Sequence, residues 1–243
     1  MNEKNVHDLL LHSEIANKFA FPHYAFIILQ IGEILKDYSH CYFHVDGTQA
    51  VGKIPVTLDN IDLMTFAPHK FFGMNGSGIL IKKDNVLLEP MIHGGISTTP
   101  FRSGTPVLPM AVAARMALFM AVEKIEDHYK YVTCLNEKLR DELRKYPNVR
   151  INSTKNSIPY ILNISLKGIS SGAFTKAFEE NEIYVSTKSA CCAPNTPSRP
   201  VYAITNDRKL SLSTLRISLS HKTTLEEIET FLSVFDKCMK EQI

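Results

Sequence analysis

Short apolar runs that stop at chemistry-bearing side chains constrain this sequence more than any other feature in it. Cys41–Asp46 reads CYFHVD, Ile61–Ala67 reads IDLMTFA, and a third run, Ser77–Lys83, reads SGILIKK. Each is too short for an ordinary helix and too continuously apolar for a strand with one wet face. All three therefore read as strands buried on both faces. Gln30–Tyr38 has the composition of a helix leading into the first run. Gly73, Gly76 and Gly78 mark a tight turn between the second and third. Buried strands interleaved with helical stretches predict an α/β architecture over residues 1–106, built on a mostly parallel sheet.

From Pro109 to about Tyr146 the pattern turns helical, rich in Ala, Leu, Met, Glu and Lys, with the proline suited to a helix start. Val112, Met116, Phe119 and Val122, then Leu135, Leu139 and Leu143, recur at helical spacing. That spacing predicts that these residues, and the methionines among them, pack into a core. Further on, Pro159–Leu166 and Ser213–Ser220 read as strands, and Ile183–Thr187 as a shorter one. Residues 170–182 read as a helix capped by Ser170 or Ser171, and Thr223–Lys240 as a helix with acids in its first turn. Cys192–Leu210, with Pro194, Pro197 and Pro200, reads as a mobile loop. Residues 107–243 are thus expected to form a connecting helix and a smaller α+β domain.

Composition excludes several classes. With 243 residues, 44% hydrophobic and 21% charged, the chain reads as an ordinary globular protein. A net charge of +2, with both signs interspersed, gives no footprint for nucleic acid or a membrane surface. The most apolar stretch, Phe19–Ile31, contains Pro22 and His23 and is shorter than the ~20 residues a bilayer-spanning helix needs. The first ten residues carry acids and lack the layout of a secretory signal. Five scattered cysteines, Cys41, Cys134, Cys191, Cys192 and Cys238, form no C-x-x-C pair. Neither a disulfide framework nor a zinc site is expected, and a reducing cytoplasm fits.

The residues closing the first two strands carry a chemical signal. In FHVDGTQAVGK, Asp46 ends the first strand and Gln49 follows one turn later; in MTFAPHKFFGMNGSG, His69 and Lys70 follow the second. An acid beside a lysine at adjacent strand ends is what pyridoxal 5′-phosphate (PLP) chemistry needs. The lysine forms a Schiff base with the cofactor aldehyde, and the acid keeps the pyridine nitrogen protonated. The aromatic neighbours Phe71 and Phe72 predict desolvation of Lys70 and a lowered pKa. Taken singly, Lys70 also reads as a surface lysine, Asp46 as a cap for the next turn, and His69 as structural. Gln49 can donate to a ring hydroxylate. Cys191, in YVSTKSACCAPN, is a candidate nucleophile, with Cys192 beside it. Arg216, in TLRISL, offers a planar fork for a carboxylate, and Arg102–Thr105 (RSGT) offers donors for a phosphate.

The order of these stretches resembles the NifS/IscS-like cysteine desulfurases of the class V aminotransferase family, and their C-terminal part only. IGEILKD, FHVDGTQAVGKIPV, IDLMTFAPHKFFGMNGSGILI, HGG, FRSGT, ILNISL, VSTKSACC and LRISLSHKTTLEEIE follow the family's order from about Gly32 onward. The resemblance implies an incomplete PLP-transferase type large domain followed by a small C-terminal domain that carries the cysteine loop. It implies Lys70 as the Schiff-base lysine, Asp46 as the pyridinium partner and Gln49 as the ring-hydroxyl partner. His69 and Thr105 would hold the phosphate, Thr105 across a dimer interface, while Cys191 would carry the persulfide and Arg216 the substrate carboxylate. The implied reaction turns L-cysteine into L-alanine in a homodimer that serves an iron–sulfur scaffold or a thiolation protein. No metal, nucleic acid or membrane is implied. A non-catalytic remnant acting as an interaction module, and a related PLP lyase or transaminase, are the other readings. Two positions depart from the family: His12-Ser13-Glu14 stands where an Asn-Asn-Glu-type motif is usual, and Ala67 stands where relatives carry a hydroxyl.

Overall fold

The computed structural model describes residues 24–95, 99–188 and 196–241. Among the described residues the chain divides into two compact units, residues 24–125 and residues 126–241.

The first unit contains α1 (Tyr24–Leu35), β1 (His44–Asp46), β2 (Leu63–Phe66), a 3-10 turn (Pro68–Phe71), β3 (Ile79–Lys82) and α2 (Leu108–Glu123). The three apolar runs become the three strands of one sheet in the order β1-β2-β3. β1 and β2 are parallel, with Asp46 opposite Thr65, whereas β3 returns antiparallel to β2 with Leu80 opposite Thr65. The observed sheet is thus mixed. Burial alternates along the strands and corrects the expectation of two covered faces. Phe43, Val45, Met64 and Phe66 are buried, whereas His44, Asp46 and Leu80 are exposed, so one face of the sheet is covered and the other is open.

α2 corrects one expectation. Val112, Met116, Phe119 and Val122 share a face as their spacing predicts, but that face is exposed, with Phe119 60% and Met116 52% accessible. The buried positions are Ala114 and Ala121. Packing explains the inversion. A Cβ on Gly73 would lie 3.1 Å from that of Ala117, and one on Gly52 would lie 3.2 Å from that of Ala121. Only an alanine face fits against glycine-lined backbone, so the larger side chains turn outward.

The second unit contains α3 (Ile125–Leu143), β4 (Val149–Ile151), β5 (Ile161–Leu166), α4 (Ser171–Glu179), α5 (Arg199–Thr205), α6 (Arg208–Leu212), β6 (Thr214–Ser218) and α7 (Leu225–Glu241). Its antiparallel sheet runs β4-β5-β6. Val132, Leu135, Leu139 and Leu143 fill one face of α3 and are fully or almost fully buried. Phe174 and Phe178 of α4 meet Phe231 and Phe235 of α7, with centroids 5.3 Å apart for Phe174–Phe235 and 5.0 Å for Phe178–Phe231. Arg140, 8% exposed, reaches off α3 to Asn136 Oδ1 (2.6 Å), Ser153 O (2.8 Å) and Thr154 O (3.1 Å). Asn136 in turn donates to Pro159 O at 2.8 Å.

Two further expectations are corrected here. The stretch expected to be a loop carries two helices, α5 and α6. Pro200 sits in the first turn of α5, where its missing N–H costs nothing, and Asp207 caps α6 by accepting from the Lys209 and Leu210 amides. Ile183–Thr187 contributes a single bridge, Ser186 to Arg216, instead of a strand.

Candidate active site

The parallel pairing brings Asp46 and the lysine-bearing turn to one end of the sheet. β1 and β2 leave the sheet side by side, and the Gly47 amide donates to Thr65 O at 2.8 Å, tying the two exits together. The fit at Gly47 is close: a Cβ there would lie 3.1 Å from Met64 Sδ, so a larger residue would press that side chain back by a few tenths of an ångström. The chain then winds through a tight turn in which Ala50 and Val51 donate to Gly47 O, and Lys53 and Ile54 donate to Ala50 O.

Beyond β2, Pro68 opens the 3-10 turn, and the Lys70 amide closes it on Ala67 O at 3.1 Å. Ala67 has the extended dihedrals of a capping residue but makes no side-chain cap bond. Phe72 ends the turn in the left-handed region, at φ 66°. That conformation costs a non-glycine residue on the order of 1–2 kcal/mol. The close fit of Gly73 against Pro68 and Ala117 holds it in place.

Asp46 is exposed, and its Oδ1 accepts the Thr48 amide at 2.9 Å, so it caps the following turn while standing at the strand end. Gln49 is half-buried, and its Oε1 accepts from Lys53 Nζ at 2.7 Å. His69 and Lys70 are exposed. Exposure of Lys70 corrects the expected desolvation, because Phe71 packs inward while Phe72 turns to solvent. The desolvated lysine of this wall is Lys53, whose pKa is pulled down to about 8, first by burial and then by the charge of Lys70. Sequence reasoning missed it, although the four-residue spacing between Gln49 and Lys53 was a usable signal. Thr105 lies exposed in the segment entering α2, and no hydrogen bond ties it to the other residues among those described.

Arg216 belongs to the other unit, on β6 opposite Asn163. It is half-buried, and its Nη2 lies 3.2 Å from Ser186 Oγ. Its Nε is buried without a hydrogen-bond partner among the described residues. A guanidinium held this way retains donors for an anionic ligand. Cys191 and Cys192 lie outside the described residues, as does His12-Ser13-Glu14.

The aminotransferase class-V family pattern matches residues 25–231. The chain belongs to the class-V aminotransferase family. A NifS/IcsS protein homolog from Lactobacillus delbrueckii subsp. bulgaricus is 35% identical over 220 residues, covering 86% of this chain and 56% of that protein. Cysteine desulfurase IscS from Clostridium botulinum is 31% identical over 222 residues, covering 88% of this chain and 56% of that protein. Among solved structures, a NifS-like protein from Rickettsia africae superposes with a TM-score of 0.78 at 30% identity, over 88% of this chain and 57% of that one. The chain therefore spans about half the length of the relatives it matches.

The cofactor of this family is pyridoxal 5′-phosphate. The residues present fit one side of it: an exposed amine on Lys70, a strand-end carboxylate on Asp46, and a Gln49 amide whose nitrogen donors are left over once its oxygen faces Lys53. Ala67 is the poor element of the fit, because it brings no hydroxyl to the phosphate side.

Proposed function

We propose that this chain carries part of a PLP-dependent cysteine desulfurase site, which converts L-cysteine to L-alanine and passes the sulfur to Cys191. The observation that supports this reading is the pairing of Asp46 and Thr65 across parallel strands, which puts Asp46 and Gln49 next to the turn bearing His69 and Lys70. PLP, when bound, supplies the electron sink that makes the cysteine carbon–sulfur bond breakable. Asp46 would hold a proton on the ring nitrogen. Gln49 would donate to the ring oxygen, and His69 and Thr105 would contact the phosphate. Lys70, exposed beyond β2, would carry the amine to the cofactor and then move protons at the substrate carbon. Arg216 would fix the substrate carboxylate through its uncommitted donors.

The sulfur step balances. The Cβ–S bond of the substrate breaks, the Cys191 thiolate accepts the sulfur in a new S–S bond, and Cβ gains a proton to give alanine. A low pKa at Cys191 would favour the step, because the thiolate is the nucleophile. A reducing compartment such as the cytoplasm keeps that thiol available. Among the described residues no helix is long and apolar enough to cross a membrane. The assembly proposed is a homodimer with a cofactor-binding region over residues 1–106 and a C-terminal region carrying the cysteine loop. An iron–sulfur scaffold or thiolation protein would receive the sulfur.

The test is to add PLP to the purified chain and look for a visible absorption band, then add L-cysteine and assay alanine and sulfide. The band should vanish in Lys70→Ala, and sulfide release should vanish in Cys191→Ser with the band retained. A chain that forms no band at saturating PLP is not a desulfurase by itself.

A further inference from the structure

Lys53 is the side chain of the Asp46–Lys70 wall that the desulfurase reading leaves without a task. It is half-buried in the turn after β1, with Nζ 2.7 Å from Gln49 Oε1. No carboxylate lies within ion-pair distance of it among the described residues. The turn is pressed against the lysine-bearing segment. Gly52 sits at φ +76°, and a Cβ there would stand only 2.7 Å from the Cβ of Phe71, the neighbour of Lys70. A left-handed glycine thus lets Lys53 approach the wall from inside the fold.

The chemistry of the pair is asymmetric. An ammonium group has three donors and no acceptor, whereas a carboxamide has an acceptor end and a donor end. Lys53 can therefore satisfy Gln49 in only one orientation, with the oxygen turned inward. We propose that Lys53 is a positioning residue: its ammonium group locks the Gln49 carboxamide so that both nitrogen donors remain for the ring oxygen of PLP. This rests on the desulfurase-type reading of the wall. Without the lock the amide is free to turn over, and a carbonyl oxygen facing an ionised ring oxygen is repulsive. Losing one charge-assisted bond of this kind weakens binding about ten- to hundredfold.

The lock is also tied to protonation. The Lys53 pKa is pulled down to about 8, first by burial and then by the charge of Lys70. Below that pH the bond to Gln49 is charge-assisted; above it the donor is a neutral amine and the bond weakens.

The experiment has two arms. In the first, the chain without PLP is labelled with nitrogen-15, and the Gln49 side-chain amide signals are followed from about pH 7 to about pH 9.5, a range that brackets the titration. They should shift with a midpoint near 8, lose that shift in Lys53→Met, and lose it also in Lys53→Arg, whose charge persists throughout. In the second arm, PLP itself is titrated into each protein at neutral pH. Lys53→Met should bind it at least tenfold more weakly, and Lys53→Arg should restore most of the loss. Gln49 signals that stay flat through pH 8 in the unsubstituted chain overturn the lock, whatever the variants do. A normal Gln49 titration with no PLP binding overturns the cofactor assignment and leaves the Lys53–Gln49 coupling standing. Equal binding by the unsubstituted chain and Lys53→Met overturns the positioning role.

Discussion

Replacing Arg140 by methionine removes a charged donor while keeping most of the side-chain volume. Arg140 is 8% exposed and serves three acceptors: Asn136 Oδ1, the Ser153 carbonyl and the Thr154 carbonyl. Thr154 is exposed, so its carbonyl can turn to water at little cost, whereas Asn136 and Ser153 are buried. Two buried acceptors left without a donor cost about 1–3 kcal/mol each. Against that stands the cost of burying a guanidinium with no acid bonded to it, which the methionine relieves. That cost is visible in the lowered Arg140 pKa, caused first by burial and then by Arg144. The balance is a destabilisation of about 2–4 kcal/mol. Asn136→Leu loses the bond to Pro159 O as well and should cost about 1–3 kcal/mol. Because the two residues share a bond, the double variant should cost at least about 1 kcal/mol less than the sum. Urea unfolding followed by circular dichroism measures all three differences, provided the slope is unchanged. Additivity within about 0.3 kcal/mol, or a loss below about 0.5 kcal/mol for Arg140→Met, would refute the network.

Three shorter predictions rest on other features. Tyr160 is 4% exposed and its hydroxyl has no hydrogen-bond partner among the described residues, so Tyr160→Phe should raise stability by about 1 kcal/mol; a loss in urea unfolding would show an overlooked partner. Ala67→Ser supplies the missing cap at a residue already in capping geometry and should add about 0.5–1 kcal/mol, read as a higher unfolding midpoint. The pH profile should bend twice. Lys53, lowered to about 8 when folded against an ordinary value near 10.4, binds fewer protons in the native state, so stability rises as pH climbs through that window. Tyr146 and Tyr160, raised to about 12 by burial above their ordinary value near 10, bind more protons in the native state, so stability falls beyond about pH 10. A midpoint that declines steadily from pH 8 upward would contradict the Lys53 contribution.

Much of the fold and part of the site were legible in the sequence. The strands at Asp46 and at the approach to Lys70 stood out as short apolar runs, but their one-sided burial did not, because Tyr42 and Leu80 are apolar and still face outward. Periodicity also identified the α3 face that fills the second unit. It failed on α2, where Met116 and Phe119 share a stripe without packing inward. Spacing says which residues lie together, but the glycines at 52 and 73 decide that alanines face the fold. The prolines at 197 and 200 suggested a loop, whereas Pro200 starts a helix. Lys53 was hidden for a related reason: its burial depends on a left-handed glycine and on Phe71, eighteen positions further along the sequence.

The pairing of β1 with β2 also bears on when the wall can form. His44 lies opposite Leu63, so the closure that aligns Asp46 and Gln49 with Lys70 spans only nineteen residues. Loops of that length close quickly and at modest entropic cost. The acid, the amide and the lysine need no partner from residues 126–241 to find one another, whereas Arg216 enters the chain much later. During synthesis the wall can therefore be in place before the carboxylate anchor has left the ribosome.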